Sequence, residues 1–538
     1  MKLVYTLSVL LFLFGAFSFA ADWKKNARAE KLPLETVRID INLIDLPLHN
    51  DARTGDNGSA RWPTGSNHSF LFETGIALSG RVDGGMRASW TSGNIFAREW
   101  EAGNLGTNPD DPEVKFYKVA RSDTFGSPAY IEWADAVAQG AYFRDLDNNG
   151  LYDPFVDQPD LLGDKTFWCA YNDVVDTTQR PRWFKTDPLE VEIHQSVWAY
   201  ALTQRDLQIV YFRYRMTNKS NTDIEDAYFS IFADADIGDF QDDLVACDTS
   251  LNLSYMYNDG EDFDYGINPP AFGIGVVQGP AVNSPGDTAF TYRGDFFAPD
   301  TLFDRKRLGM ISYTPINKSS GPLNQPTDTT VARLYQRGGF LPSGLPIDPT
   351  TFGVGGTLQD DPRFTYSGDP VTDIGWIDIM PQDRRFLINT GPFRIAAGET
   401  QDIIMAYSVG QGQTSAAEAI TELRAVARNA AEIIKNRQVI TGIRDQSGLS
   451  LSEFTLNQNY PNPFNPTTAI PFRIEKRQHV SLIVFDVMGK KVATLLDDVV
   501  SPGSYQIDFN EQNLPSGIYF YRLRTKLQSQ SRKMVLMR

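Results

Sequence analysis

Between residues 145 and 153 the chain reads Asp-Leu-Asp-Asn-Asn-Gly-Leu-Tyr-Asp, with oxygen-bearing side chains at alternate positions around a glycine. Such spacing lets one loop wrap a hard cation, because alternate side chains turn inward while the glycine takes the sharp bend. Asp145, Asp147 and Asn149 would offer side-chain oxygens, Leu151 its carbonyl, and Asp153 or Asp157 a further carboxylate. The same residues would also serve a plain Asx-rich turn.

A second acidic set is Asp234, Asp236, Asp239 and Asp243, with Gly238 among them. No Lys or Arg occurs from Ser220 to Tyr292, while thirteen acidic residues fall between Asp223 and Asp264. Carboxylates this close repel one another, and a bound cation or a solvated acidic face are the two remedies. The first set resembles calcium loops of the DxDxDGxxD kind, so calcium is the expected cofactor. It departs from an EF-hand, since the twelfth position is Val156 rather than Glu and no flanking helices are evident. The two sets could share one site.

Other chemistry is thinly represented. The four histidines are His49, His68, His194 and His479. Glu190, Glu192 and His194 alternate along a strand and would share one side, as an acid/base or metal site or as an ordinary polar face. No HExxH, GxSxG, CxxC or phosphate-loop pattern is present. A carboxylate pair for glycoside hydrolysis has no fixed spacing and stays open. Cys169 and Cys247 would form one disulfide or remain two buried thiols. The net charge of −17 argues against nucleic acid or an anionic membrane as partner.

The elements that must hold these residues are mainly β. Residues 207–218 alternate Val210, Phe212, Tyr214 and Met216 with Arg213 and Arg215, which predicts a half-buried strand. Residues 196–201, 386–395 and 402–409 read as further strands, and dense Gly and Pro suit a sandwich. A long helix follows Ser415, where a Ser-Ala-Ala-Glu capping box precedes a stripe of Ile420, Leu423, Ala427, Ala430 and Ile434. It should pack on the sheet. Aromatic residues make up 12%, nine of them Trp, and these would be core or a sugar-stacking surface.

The ends carry addresses. Residues 1–20 have Lys2, an apolar run and a Ser-Phe-Ala end, the parts of a secretory signal peptide. No later stretch approaches 18 apolar residues, so no transmembrane segment is expected in the mature chain. From Phe454 on, short alternating blocks separated by Gly, Asn and Pro predict a small antiparallel sandwich of about seven strands. The run Asn459-Tyr460-Pro461-Asn462-Pro463-Phe464-Asn465-Pro466, the Asp486-Val487-Met488-Gly489 turn, Ser516-Gly517-Ile518-Tyr519 and the final Lys533-Met534-Val535-Leu536 resemble the C-terminal sorting domain of type IX secretion substrates. The resemblance implies an Ig-like fold, recognition by the secretion and sorting machinery, and passage to the outer surface of a Gram-negative bacterium. It also implies cleavage of the tail, with release or anchoring to surface polysaccharide. The body, through residues 145–157, 234–248 and 391–412, resembles secreted proteins of unassigned activity that bear the same tail.

The expected organisation is a signal peptide at 1–20, a β-sandwich-rich body at 21–440, of one or two subdomains, with one long helix near its end, a linker at 441–453 and the sorting domain at 454–538. The expected function is a secreted or outer-membrane surface protein whose body is a calcium-stabilised, non-catalytic structural or binding module. An extracellular carboxylate-based glycoside hydrolase and a carbohydrate-binding adhesin are the alternatives.

Overall fold

The strand Ile209–Asn218 lies inside a nine-stranded antiparallel sheet, between Thr400–Gly410 and Val191–Ala199. The structure is a computed structural model. It describes residues 35–91, 98–175, 182–201, 203–294, 299–318, 321–444, 454–474, 477–486, 490–501, 503–510, 514–525 and 529–537. The proposed signal segment 1–20, linker residues 445–453 and the 487–489 part of the tail's turn lie outside these. The chain divides into two compact units, Met1–Thr441 and Gly442–Arg538.

Across the larger sheet the order is Asp243–Asp248, Leu253–Asn258, Ala271–Gln278, Thr400–Gly410, Ile209–Asn218, Val191–Ala199, Lys165–Asn172 and Glu101–Ala102, with Tyr117–Ala120 also paired to Lys165–Asn172. A five-stranded sheet runs Ser312–Asn317, Arg384–Ile395, Ile224–Asp234, Glu73–Val82 and Gly85–Trp90. Phe212, Tyr214 and Tyr407 from the first sheet share one core with Phe229, Ile231 and Phe386 from the second. The body is therefore a β-sandwich, and burial of this shared apolar face is its main stabilising term.

The strand Ile209–Asn218 corrects the half-buried expectation. Its even positions face the shared core, but the odd positions Ile209, Tyr211 and Arg213 are buried too. Ile209 and Tyr211 lie under the long helix, and Arg213 is only 2% exposed. Periodicity reveals a strand's two faces but not whether a later element covers the second.

Three helices occur among the described residues: α1 (Pro128–Ala138), α2 (Thr329–Arg337) and α3 (Ala416–Arg444). Every stripe residue expected in α3 is buried. Leu423 and Ala427 pack with Tyr255 and Leu253, and Ala430 and Ile434 with Trp198 and Tyr211. At its start the Ser415 hydroxyl accepts the Glu418 N–H at 3.3 Å, while the Glu418 carboxylate accepts the N–H groups of Gln413 and Thr414 at 2.7 and 2.8 Å. The carboxylate thus reaches the N–H groups one and two residues before the cap rather than that of Ser415 itself, while the Ser415 hydroxyl covers a donor that the helix leaves free. The helix continues to Arg444, into the first residues assigned to a linker.

Among its described residues the second unit has seven strands in a three-stranded and a four-stranded antiparallel sheet around a core of Phe472, Leu482, Val484, Tyr521 and Leu523. Its Asn-Pro motif clamps the last strand, Ser529–Leu536. Asn462 accepts the Val535 N–H at 2.8 Å, and the Phe464 N–H donates to the Val535 carbonyl at 2.9 Å. Buried Asn459 donates to Thr468 at 2.9 Å and takes its own backbone partner in the Tyr521 hydroxyl at 2.8 Å.

Candidate metal centre

The 145–157 loop is closed at its base by a short antiparallel pair, Gln158 opposite Arg144 and Pro159 opposite Phe143. Helix α1 anchors it. Ser127 caps that helix, Pro128 occupies its first turn, and Trp133 is buried against Tyr117 and Trp168. The Tyr152 hydroxyl donates to the Tyr130 carbonyl at 2.9 Å, tying the loop to the helix.

Within the loop, Asp145, Asp147 and Asp157 each place a carboxylate oxygen within 4.8 Å of the others. Backbone donors hold them there. Gly150 and Asn149 donate to Asp145 at 2.8 and 3.2 Å, and Leu146 and Asp153 donate to opposite oxygens of Asp157 at 2.8 Å each. The N–H donors, Gly150 first, hold the Asp145 carboxyl below its usual range and keep it ionised. Gly150 has φ +77°, where a side chain would be strained.

Of the other residues expected here, Asn149 accepts the Leu151 N–H at 2.7 Å and donates to Asp147 at 2.8 Å. Asp153 caps Phe155 at 2.9 Å and is not in the carboxylate trio. Buried Asp157 closes the loop one position beyond Val156, which is 37% exposed. These carboxylates could hold a metal ion.

The second acidic set converges differently. Asp234 and Asp236 meet Asp383, a residue with no sequence signal, with oxygens within 4.8 Å of one another. Asp239 and Asp243 stand outside this group. Asp239 gives its N–H to Asp262 at 2.8 Å, and that carboxylate fills the space beside Gly238 (φ +65°). Asp243 is fully buried, and burial with neighbouring Asp236 and Asp242 pushes its carboxyl well up. The two acidic sets share no residue, so a common site is not formed from them.

Cations are built into the second group. Arg385 lies 2.8 Å from Asp234, and Lys318 lies 2.7 Å from Asp383. Burial first, then repulsion from Asp234 and Asp383, raises the Asp236 carboxyl to about 8. Burial likewise raises Asp234 to about 6, against the pull of Arg385. A proton on Asp236 leaves two carboxylates facing two cations. The same pairing recurs along the basic-free run: Arg394 meets Asp223 and Glu225, Arg333 meets Asp226, and Arg424 meets Asp248.

This charge arrangement has a pH signature. Between about pH 4 and pH 8 the folded chain keeps a proton on Asp236 that the unfolded chain releases, so stability falls as pH rises through that window. Asp236→Asn removes the penalty. Denaturant melts should show it more stable than the parent at pH 8, by about 1–3 kcal/mol, with the difference gone near pH 4. A loss of stability at pH 8 would instead mean that Asp236 serves an ion there.

Glu192 and His194 do meet, at 3.1 Å, with Lys219 at 3.0 Å from the same carboxylate. Burial opposes the charge on Glu192, but His194, the Leu105 N–H and Lys219 outweigh it and hold the carboxyl down to about 2. The group pins a loop to a strand. Both cysteines are buried free thiols. Seven of the eight described tryptophans are buried and Trp183 is half-buried, so they are core rather than a stacking surface. No helix among the described residues is long and apolar enough to cross a membrane.

Residues 458–537 match the family described as the secretion system C-terminal sorting domain. The tail is thus a type IX sorting domain that engages the secretion machinery, and the protein is secreted or displayed on the outer-membrane surface of a Gram-negative bacterium. No curated protein matches the chain. The body's resemblance to other secreted proteins therefore has no support. Among solved structures, a polysaccharide lyase aligns at 6% identity and a TM-score of 0.18. That alignment covers 64% of this chain and 34% of the lyase, and a score so low carries nothing about activity.

Proposed function

We propose that the body is a non-catalytic structural or binding module whose 145–157 loop is stapled by calcium outside the cell. The observation that supports this reading is the trio Asp145, Asp147 and Asp157, three carboxylates aimed at one point by backbone donors. Calcium takes six to eight oxygens, so the Asn149 side chain, the Leu151 carbonyl and water would complete the shell. Asp153 supports the loop's far turn instead. For the second set, internal Arg385, Lys318 and a proton on Asp236 account for the charge without an ion.

In the same reading residues 1–20 are a signal peptide, removed before the 21–440 body folds in the periplasm, and the tail from 454 is cleaved after export. Calorimetric titration of the chelator-stripped full chain should show a single calcium bound, and Asp157→Asn should abolish it. Unchanged binding in that variant would remove the loop from consideration.

A further inference from the structure

In a chain of net charge −17, five arginines gather at one end of the larger sheet. Tyr142, immediately before the acidic loop, is their centre. The guanidinium carbons of Arg213, Arg215 and Arg293 lie 5.0, 4.3 and 4.0 Å from its ring centroid. Arg213 and Arg215 rise from the outer face of Ile209–Asn218, and Arg305 and Arg307 come from the hairpin strand Asp300–Arg307. The Tyr142 ring and Arg215, Arg293, Arg305 and Arg307 line a cavity of about 320 Å³, with Asp300, Glu399 and Asp402 as its carboxylates.

Most of this charge is already spent. Arg213 pairs with Asp402 at 3.0 Å and Asp160 at 3.7 Å, and Arg293 with Asp300 at 2.7 Å. Arg307 donates to the carbonyls of Phe290, Gly279 and Asp402. Glu399 accepts the Ala396 N–H at 2.9 Å. Two guanidinium groups remain. The Arg215 side chain makes no ion pair or hydrogen bond among the described residues, only its contact with Tyr142. Arg305 has a single long contact, 3.5 Å to Asn283. Beside them the terminal nitrogens of buried Arg213 also have no hydrogen-bond acceptor among the described residues.

Adjacent like charges, and the buried Arg213 and Arg215 nitrogens that lack an acceptor among the described residues, raise the energy of this end of the sheet unless an anion or water answers them. We propose that the cavity binds a small molecule through an oxyanion group, a carboxylate, sulfate or phosphate. Arg215 and Arg305 supply the free forked donors, a geometry that fits such groups with two parallel hydrogen bonds. Tyr142 and the pairs around it hold Arg215 in place. A volume near 320 Å³ is at the lower end for small-molecule sites and admits a group the size of one sugar beyond the bare ion. The inference uses none of the acidic loop's ligands and stands apart from the calcium reading.

The test is a ligand-observed NMR titration of the full chain in excess calcium, so that loss of the ion is not confused with loss of the pocket. The probes are glucuronate, glucose 6-sulfate and glucose 6-phosphate, with glucose as the neutral control and inorganic sulfate and phosphate as competitors. At least one anionic probe should bind at least about tenfold more tightly than glucose and weaken as salt is added. Arg215→Gln and Arg305→Gln should each reduce that binding about tenfold or more. Displacement by an inorganic anion would show that the oxyanion alone is recognised, and its absence that the attached group contributes. Arg305 is partly exposed on a hairpin, so its variant should keep the parent's melting temperature and report on binding alone. Binding of glucose as tight as that of the anions, no binding of any anionic probe, or unchanged affinity in the Arg305 variant would overturn the proposal.

Discussion

Deleting residues 454–538 should abolish surface display and leave the body in the periplasm. The tail is a separate compact unit with its own seven-stranded core, so its removal does not open the body's core. Residues 458–537 carry the sorting-domain match, and the motif residues Asn462 and Phe464 hold the last strand in place. Cell fractionation with surface protease accessibility checks the outcome. Expected is a folded, protease-protected body in the periplasmic fraction. Undiminished surface display would show that the address lies elsewhere.

The largest effect on stability should come from Arg384→Met. Arg384 is 3% exposed and its guanidinium lies 2.6 Å from Asp378, whose side chain is fully buried. The same nitrogen donates to the Met380 carbonyl at 3.0 Å, while Asp378 accepts the Met380 N–H at 3.2 Å. Removing the cation leaves a buried carboxylate with too few donors, a loss of about 3–5 kcal/mol for pairs of this kind. Burial already pushes the Asp378 carboxyl up, against the pull of Arg384. Without Arg384 it rises further, so the folded variant holds a proton that the unfolded chain releases above about pH 4. The deficit should therefore be largest at neutral pH and shrink as pH falls toward 4. Urea melts of the body's transition at both pH values check it, and a neutral-pH loss below about 1 kcal/mol would show that the pair is dispensable.

What the sequence made legible follows from how local each signal is. The alternation at 209–218, the capping box at 415–418 and the stripe on α3 are local patterns, and each became the expected element. Helix α1 went unread although Ser127-Pro128 is a start signal, and α2 although Asp328 caps it. Both are short, so their apolar stripes span too few turns to stand out against the β-rich background.

The first acidic loop was readable because its three carboxylates lie within thirteen residues, bent by Gly150. The second set was not. Its third member, Asp383, and its cations Lys318 and Arg385 come from distant strands and loops. A basic-free run looks unbalanced in one dimension and is balanced in three. The arginine cluster around Tyr142 was hidden for the same reason, since Arg213 and Arg215, Arg293, and Arg305 and Arg307 come from separate stretches of the chain.

The most direct test of the central claim is a thermal melt of the full chain in calcium and again in excess chelator, with Asp145→Ala/Asp147→Ala alongside. An ion that binds only the folded state stabilises it by mass action, about 2.7 kcal/mol at a hundredfold excess over its dissociation constant. The parent should melt clearly higher in calcium than in chelator, and the double variant should melt at the parent's chelator temperature under both conditions. Identical melting of the parent with and without calcium would contradict the account and return the 145–157 loop to an Asx-rich turn.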